Sequence, residues 1–144
     1  MAAAESETFA ELGAITPEGF RSAEEIGLST LTMGSRKYYQ TFPMDQKMLR
    51  LSASHVSSTG PFITVSTVTG SLSTADNILK KNAGALCENM EGASAALVCA
   101  RYGLPVLEIR GISNMVEDRE TEKWEKDVAA GNCQAALVEI LKNL

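Results

Sequence analysis

The stretch Cys87–Ala93, with the sequence CENMEGA, decides the fold because it joins a strand pattern to a helix pattern. Residues 85–89 are a candidate for a short strand, and residues 91–102 carry small apolar side chains at helical spacing. A glycine and then a proline follow in the order expected at the end of a helix. The junction therefore places the carboxylate of Glu91 in the first turn of a helix, near free backbone N–H groups.

The same alternation of strand and helix continues along the chain on both sides of this junction. A β-branched and apolar run over residues 62–68 predicts a buried strand, and residues 106–112 predict another. A weak capping signal at Ser73 predicts a helix over residues 73–82. A final helix to the C-terminus is predicted by an apolar stripe of Ala136, Leu137, Ile140, Leu141 and Leu144. This order indicates an α/β fold with a largely parallel sheet, in a single domain over residues 1–144.

The N-terminal half carries weaker signals. Its alanine-rich, acidic start predicts a helix over residues 2–12, and a capping-box pattern at residues 22–25 predicts another short helix. Residues 29–42 show no lasting period and are expected to be irregular or partly extended. A proline begins a predicted helix over residues 43–54, and the turn-forming residues 57–61 are expected to break the chain after it.

Composition and charge restrict the classes of function. The chain has 144 residues, 44% hydrophobic and 22% charged, which is typical of a globular domain with its own core. Its net charge of -5 argues against a nucleic-acid binder, because neutralising phosphates requires a basic face. The sequence has no apolar run long enough to cross a membrane and no signal-peptide pattern. We therefore expect a cytoplasmic protein without nucleic-acid or membrane partners.

The cysteines give no sign of a metal or disulfide site. Cys87, Cys99 and Cys133 lie far apart and match no zinc-binding spacing, so buried thiols in a reducing compartment are expected. The sequence also matches neither a P-loop nor a dinucleotide-binding glycine pattern. Neither a metal nor a cofactor is expected.

Three polar segments are expected to meet at one edge of the sheet. Val68 and Thr69 follow one predicted strand, residues 89–91 end the next, and Asn114 follows the third. In open parallel sheets, ligands bind in the crevice beyond the carboxyl ends of the strands. The sequence therefore predicts a small-molecule pocket at this edge.

Other polar residues near these segments need partners or solvent. Glu108 and Arg110 alternate onto one face of a predicted strand, and we expect them to be paired or to lie at an interface, since lone buried charges are costly. The polar run over residues 114–126, which includes Arg119, either folds over a ligand or forms a solvated helix. His55 is the one histidine, and a surface or capping role is expected for it.

Each candidate side chain also has an ordinary structural explanation. A carboxylate at a helix start, such as Glu91, suits a ribose diol but also simply favours the helix dipole. Met90 beside it would serve equally as core filler. An amide such as Asn114 donates and accepts hydrogen bonds in one plane, as a heterocycle edge requires, yet asparagine is also common in turns and caps.

The two motifs together resemble those of a known superfamily. Residues 88–93, ENMEGA, and residues 104–114, LPVLEIRGISN, resemble the purine nucleoside phosphorylase and nucleosidase superfamily, and within it the futalosine hydrolase family. The similarity extends to residues 16–20, residues 65–70, Arg119 and Trp124. It implies a three-layer α/β/α fold with a mostly parallel central sheet. Family members carry further strands before the matched part, so the N-terminal strands are expected to be missing here.

The resemblance implies a role for each candidate residue. In this superfamily a Met-Glu pair binds the ribose, so Met90 would pack on the sugar and Glu91 would accept hydrogen bonds from its hydroxyls. The residue after Ile-Ser contacts the departing purine at N7, a role that falls on Asn114. Methylthioadenosine nucleosidases carry Asp there, whereas an Asn amide can donate to a 6-oxo group and so favours a hypoxanthine-type base. The expected substrate-binding set is completed by Asn89, Val68 and Thr69.

The expected activity is that of an N-glycosyl hydrolase that releases hypoxanthine from futalosine in menaquinone biosynthesis. Asn114 would stabilise the leaving base, Glu91 would fix the sugar, and water would attack the anomeric carbon. The alternatives are a methylthioadenosine/adenosylhomocysteine-type nucleosidase, a nucleoside phosphorylase, and a catalytically silent nucleoside-binding or assembly fragment. The last stays open because the acid that orients the water has no counterpart here. A homo-oligomer is expected, since an incomplete sheet leaves an apolar edge.

Overall fold

A mixed five-stranded β-sheet organises the fold. The computed structural model describes residues 1–118 and 120–144, so Arg119 lies outside the described residues. In chain order the elements are β1 (Ala2–Phe9), β2 (Gly13–Thr16), β3 (Gly19–Ser22), β4 (Leu31–Met33), β5 (Arg36–Tyr38), β6 (Thr41–Pro43), α1 (Gln46–Ser52), β7 (Ser58–Thr64), α2 (Leu72–Lys81), β8 (Cys87–Asn89), α3 (Gly92–Tyr102), β9 (Ile109–Arg110), a 3-10 turn (Thr121–Lys123) and α4 (Lys126–Leu141).

The sheet is built around β1, which has neighbours on both sides. β7 runs parallel to β1, and β8 runs parallel to β7. On the other side, β6 and β9 pair antiparallel with the two halves of β1. The inner strands are therefore parallel, as the sequence predicted, but β9 is only two residues long and does not end at the edge where β7 and β8 end.

The sheet lies between helices, which confirms the predicted α/β class. Successive residues of β7 face opposite sides, because side chains alternate along a strand. Phe62 packs in a cluster with Ala96 of α3, whereas Ile63 packs with Ile78 of α2. Helix, sheet and helix thus form three layers. Among the described residues, no helix combines the length and the hydropathy that a membrane span would need.

The prediction of a helix over residues 2–12 is wrong. These residues form β1, and Ala2, Ala3 and Ala4 are buried along its length. The preference of alanine for helix is worth less than about 1 kcal/mol per residue, and burial between two neighbouring strands overrides it. Small side chains are also useful here, because Ala2 and Ala4 share a core cluster with Ala96 of α3.

The capping-box prediction at residues 22–25 is half right. The backbone N–H of Ser22 donates to Glu25 Oε2 at 2.6 Å, and the N–H of Glu25 donates to Ser22 Oγ at 3.3 Å. These are the reciprocal bonds of a capping box, yet only a turn follows. Gly27 then adopts a left-handed φ of 72°, which ends the turn. Residues 29–42 are partly extended as expected, in β4, β5 and the start of β6.

The predicted break at residues 57–61 is also wrong, because β7 begins at Ser58 and runs through it. Pro61 is tolerated because the register with β1 shifts between Ala4 and Ser6, beside the proline, where the ladder is already interrupted. Conversely, β7 ends at Thr64, so residues 65–68 are not part of the strand. They form a loop that leads towards α2.

The helices from α1 onward lie close to their predicted positions. Asp45 caps α1 by accepting hydrogen bonds from the N–H groups of Lys47 and Met48. The N-cap of α2 is Ser71, whereas the sequence pointed to Ser73. α3 ends at Gly103 in a left-handed conformation, as predicted. In α4 the predicted apolar stripe is only partly buried: Ala136 and Ile140 are buried, whereas Leu137 and Leu141 are exposed. The helix ends at Leu141, so Leu144, which is also exposed, lies beyond it.

Candidate functional site

A cavity of about 440 Å³ lies between α2, the end of β8 and the segment after β9. Its lining includes Val68, Thr69, Glu88, Arg110, Asn114 and Trp124. Three of the six residues predicted for the site, Val68, Thr69 and Asn114, therefore share one cavity. β9 runs antiparallel to β1, but the chain beyond Arg110 returns to the N-terminal end of α2 and so brings Asn114 to the same cavity. There the N–H of Leu72 donates to Asp118 Oδ1 at 3.2 Å.

A carboxylate fixes one wall of this cavity. The N–H of Thr69 donates to Glu88 Oε1 at 2.8 Å, and the Thr69 hydroxyl donates to Glu88 Oε2. This pair of hydrogen bonds holds the turn after β7 against β8. Glu88 was not among the site residues predicted from the sequence. Its position in the strand could have identified it, because Glu88 precedes Asn89 and its side chain must therefore face the other side of β8 from that of Asn89.

Asn114 forms the opposite wall. Its Oδ1 accepts from Ser113 Oγ at 2.7 Å, and its Nδ2 donates to the carbonyl of Met115 at 2.8 Å. These bonds orient the amide plane, and each uses one of the two hydrogen-bonding positions on its atom. An amide held in this way can present a second donor and a second acceptor to the edge of a heterocycle.

Glu91 lies outside this cavity and lines a neighbouring one of about 320 Å³, together with Glu108 and Arg110. Arg110 lines both cavities and connects them. Its Nη2 donates to Glu91 Oε2 at 3.2 Å, and its Nε donates to Glu108 Oε1 at 2.5 Å. The predicted pairing of Glu108 with Arg110 is thus confirmed. Burial alone would lower the pKa of Arg110, but the hydrogen bond and charge of Glu108 hold it above its ordinary value.

Asn89 is buried and organises the start of α3. Its Oδ1 accepts from the N–H groups of Glu91 at 3.0 Å and Gly92 at 2.7 Å, and its Nδ2 donates to the carboxylate of Glu7. Both ends of the side chain are therefore engaged within the protein, and its place as a substrate contact stays a prediction. Met90 is 46% exposed and lines neither cavity, so its predicted contact with a sugar also stays a prediction.

Glu7 was missed entirely, because it lies in the segment that the sequence predicted as a helix. It is fully buried at the centre of β1, and Thr64 Oγ1 donates to its Oε2 at 2.9 Å. Burial, and then the neighbouring charge of Glu108, raise the pKa of Glu7 to about 7. Its carboxylate and that of Glu108 both abut the backbone of Gly92.

The remaining described residues near the two cavities offer neither a nucleophile nor a metal site. Burial raises the pKa of the Cys87 thiol to about 11, so it is a neutral thiol rather than a nucleophile. Over residues 1–118 and 120–144, no group of three or more acidic, histidine or cysteine side chains could hold a metal ion. The arrangement instead offers oriented amide, carboxylate and guanidinium groups, which suit a neutral polar ligand with hydroxyls at one end.

Residues 19–142 match the family model of the Phosphorylase superfamily. The chain is 33% identical over 141 residues to a protein named "Futalosine hydrolase" from Streptomyces coelicolor, covering 98% of this chain and 55% of that protein. It is also 33% identical over 127 residues to a protein of the same name from Acidothermus cellulolyticus, covering 81% of this chain and 46% of that protein. The chain thus spans about half the length of these curated relatives.

Solved structures agree on the fold. The 5'-methylthioadenosine/S-adenosylhomocysteine nucleosidase from Neisseria meningitidis, in complex with methylthio-immucillin-A, superposes with a TM-score of 0.79 at 15% identity, over 99% of this chain and 61% of that chain. The Streptococcus pneumoniae MTA/SAH nucleosidase, in complex with 8-aminoadenine, gives a TM-score of 0.77 at 19% identity, over 99% of this chain and 60% of that chain. At these identities the likeness concerns the fold alone.

Proposed function

The chain belongs to the phosphorylase superfamily, and from this premise we propose that it carries the nucleosidase chemistry of a futalosine hydrolase. The reaction would cleave the N-glycosidic bond of futalosine, release hypoxanthine and leave dehypoxanthine futalosine. One observation carries the proposal: Asn114 and Glu91 line two adjoining cavities that share Arg110. A nucleoside has a base and a sugar that would occupy such a pair of cavities.

The base is assigned to the cavity lined by Asn114. The amide there is oriented by Ser113 and Met115, and an amide can donate to the 6-oxo group or N7 of a hypoxanthine-type base. Donation to the departing base stabilises the negative charge that it acquires as the bond breaks. Val68 and Thr69 line the same cavity and would contact the base from the other side.

The sugar is assigned to the cavity lined by Glu91. Its side chain is 74% exposed and held by Arg110 at one oxygen, so it is within reach of a ligand hydroxyl. A carboxylate can accept hydrogen bonds from both hydroxyls of a ribose diol. As the glycosidic bond lengthens, positive charge develops on the ribose, and the same carboxylate stabilises it. Met90 would cover the apolar face of the sugar.

A methylthioadenosine/adenosylhomocysteine-type nucleosidase is the second candidate, and the shared fold of the solved enzymes of that name favours it. The two candidates differ in the base that leaves, hypoxanthine in one and adenine in the other. The amide of Asn114 supports the first, because it can donate to a 6-oxo group.

The test is to incubate the purified chain with futalosine and, separately, with methylthioadenosine, and to follow both free bases by chromatography. We expect hypoxanthine release from futalosine, and its loss in Glu91→Ala. Glu18→Ala is the matched control, since Glu18 is an exposed carboxylate in the turn between β2 and β3. Adenine release from methylthioadenosine alone would establish the second candidate, and nucleoside binding without release of either base would contradict hydrolysis by this chain.

The proposal extends to the setting of the reaction. We place the activity in menaquinone biosynthesis, because futalosine is an intermediate of the alternative route to that product. The three cysteines are half-buried free thiols, which supports a reducing, cytoplasmic location. Exposed apolar residues on α4 support assembly as a homo-oligomer of dimer size or larger.

A further inference from the structure

Two carboxylates, those of Glu7 and Glu108, abut Gly92, and nothing in the proposed reaction uses them: Glu108 lines the sugar cavity, and Glu7 is buried behind it. Glu7 is wholly buried at the centre of β1. Glu108 belongs to the chain that pairs with β1 on its other side, where its carbonyl accepts from the N–H of Ala4 at 2.9 Å. Glu7 Oε1 and Glu108 Oε2 both lie against the position where Gly92 lacks a Cβ, so the two carboxyl groups are close neighbours, and the charge of Glu108 helps to raise the pKa of Glu7. Two carboxylates in such close proximity repel each other unless a proton lies between them.

The pair is connected to Glu91 by two separate routes. On one side, Glu7 accepts from Nδ2 of Asn89, whose Oδ1 accepts from the N–H of Glu91 at 3.0 Å. On the other side, Glu108 accepts from Nε of Arg110, whose Nη2 donates to Glu91 Oε2 at 3.2 Å. The first route fixes the backbone of Glu91, and the second fixes its carboxylate.

A third contact ties the pair to the body of α3. The Thr64 hydroxyl donates to Glu7 Oε2 at 2.9 Å and accepts from the N–H of Ala93 at 2.8 Å. Glu7 thus holds two groups, Thr64 and Asn89, that between them accept from three backbone N–H groups at the start of the helix, those of Glu91, Gly92 and Ala93. The side chain of Glu91, the N-cap residue of α3, makes no capping hydrogen bond itself.

We propose that Glu7 and Glu108 share one proton and act as a single positioning pair that holds Glu91 in place for the sugar. This inference rests on the proposed function, because it assigns Glu91 to the ribose. Loss of the shared proton would leave two negative carboxylates in contact, and the repulsion would push Glu108 and its partner Arg110 away from Glu91. Neither Glu7 nor Glu108 needs to touch the substrate.

The charged and titratable surroundings of the pair are few. Arg110 and Glu91 lie on the side of Glu108, and Cys87 of β8 lies close enough for Glu7 and Glu108 to raise its pKa. β6 and β7, the strands that flank β1 at Glu7, contain no ionisable residue. Burial and Glu108 bring the pKa of Glu7 to about 7, so the shared proton would be lost as the pH rises through neutrality.

The first test does not depend on catalysis. The side-chain carboxyl carbons are followed by NMR from pH 5 to pH 9 in the whole chain labelled with carbon-13 glutamate. We expect Glu7 to titrate near pH 7, with a step in the resonances of Glu108 and Glu91 at the same pH. Glu7→Gln should remove both, because an amide keeps a donor between the two groups at every pH. A Glu108 or Glu91 resonance without a step at the pH where Glu7 titrates would overturn the proposal.

The second test is the pH profile of kcat/KM for futalosine. Above pH 7 the wild type should lose activity about tenfold per pH unit, as expected for loss of one proton, and Glu7→Gln should flatten this limb. The matched control is Glu5→Gln. Glu5 lies on β1 like Glu7, but it is exposed and accepts a hydrogen bond from Thr59, so this variant should keep the decline in activity. Glu108→Gln is the second variant if Glu7→Gln does not fold. An unchanged decline in both pair variants would overturn the proposal.

The two tests separate the inference from the function on which it rests. A Glu7 titration accompanied by steps at Glu108 and Glu91, but without base release, would sustain the pair and refute the proposed function. Base release with a pH profile that neither pair variant alters would do the opposite.

Discussion

Gly92, the first residue of α3, has no room for a side chain. A Cβ at this position would overlap the carboxylates of both Glu7 and Glu108, which are themselves held by other contacts. The requirement for glycine in the Met-Glu-Gly motif is therefore steric. It is imposed by Glu7, which lies 85 residues from Gly92 in the sequence, and by Glu108, which lies 16 residues from it. A sequence motif that seems local is set by long-range packing.

We expect Gly92→Ala to lower the free energy of unfolding by roughly 2 kcal/mol or more, the usual cost of overpacking a filled core. Urea denaturation measures it. Gly131→Ala is the control, because Gly131 lies within α4 and a Cβ there meets nothing within 4 Å. That change should stabilise by about 0.5–1 kcal/mol. Equal effects of the two substitutions would contradict the packing described at Gly92.

Glu7 also gives stability a dependence on pH. Its pKa is raised from 4.5 to about 7 in the folded chain, so the folded state binds the proton more tightly than the unfolded state does. This contribution is complete below pH 4.5 and is lost as the pH rises through 7. Relative to Glu7→Gln, the wild type should therefore lose roughly 2 to 3 kcal/mol between pH 4.5 and pH 8. A difference in unfolding free energy that does not vary with pH would show that Glu7 is ionised throughout.

Among the single elements, α2 has a different N-cap residue in the structure from the one that the sequence predicted. The pattern Ser-Thr-Ala-Asp pointed to Ser73, but the side chain that accepts from the helix is that of Ser71, from the N–H of Thr74. Ser71→Ala should cost about 1 kcal/mol in urea unfolding, and Ser73→Ala less than about 0.5 kcal/mol. The reverse order would return the cap to Ser73. Because Ile78 of α2 lines the base cavity, loss of the cap should also weaken nucleoside binding.

The elements that the sequence predicted well are those with local signals. α3 has small apolar residues at helical spacing and a glycine stop, and the adjoining β8 ends at the motif itself. β1 could not be predicted in this way, since its alanines favour helix locally and become a strand only through pairing with β7. Pro61 was misleading for the same reason, because the register shift that accommodates it belongs to the partner strand.

The residues of the candidate site also differ in whether a local sequence signal could identify them. Asn114, Val68 and Thr69 follow strand patterns and could be placed in one cavity from sequence. Glu7 could not, because only the tertiary fold brings it beneath Gly92. Glu108 and Arg110 lie between these cases: their alternation indicated a pair, but not that Arg110 would connect two cavities.

The whole molecule exposes an apolar stripe along α4. Leu137 and Leu141 are 45% and 56% exposed and share one face of the helix by their spacing, and Leu144, 56% exposed, lies just beyond the end of the helix. We expect this stripe to mediate self-association, visible as a dimer or larger species in sedimentation velocity. The double variant Leu137→Lys/Leu141→Lys should sediment more slowly.

The control for self-association carries the same two changes at the same helical spacing on α3, where Val98 and Tyr102 are also exposed. Val98→Lys/Tyr102→Lys should leave the sedimentation of the chain unchanged. A wild type that sediments as a monomer over the accessible concentrations would contradict an interface at α4.

The central claim, that this chain hydrolyses a purine nucleoside with water as the nucleophile, is tested most directly by the mass of the sugar product. Futalosine is incubated with the chain in water enriched in oxygen-18 and in the presence of phosphate. We expect free hypoxanthine together with a sugar product that carries one oxygen-18 at its anomeric hydroxyl, measured before that hydroxyl exchanges with water, and neither product with Glu91→Ala. A sugar phosphate, or futalosine recovered intact, would contradict the claim.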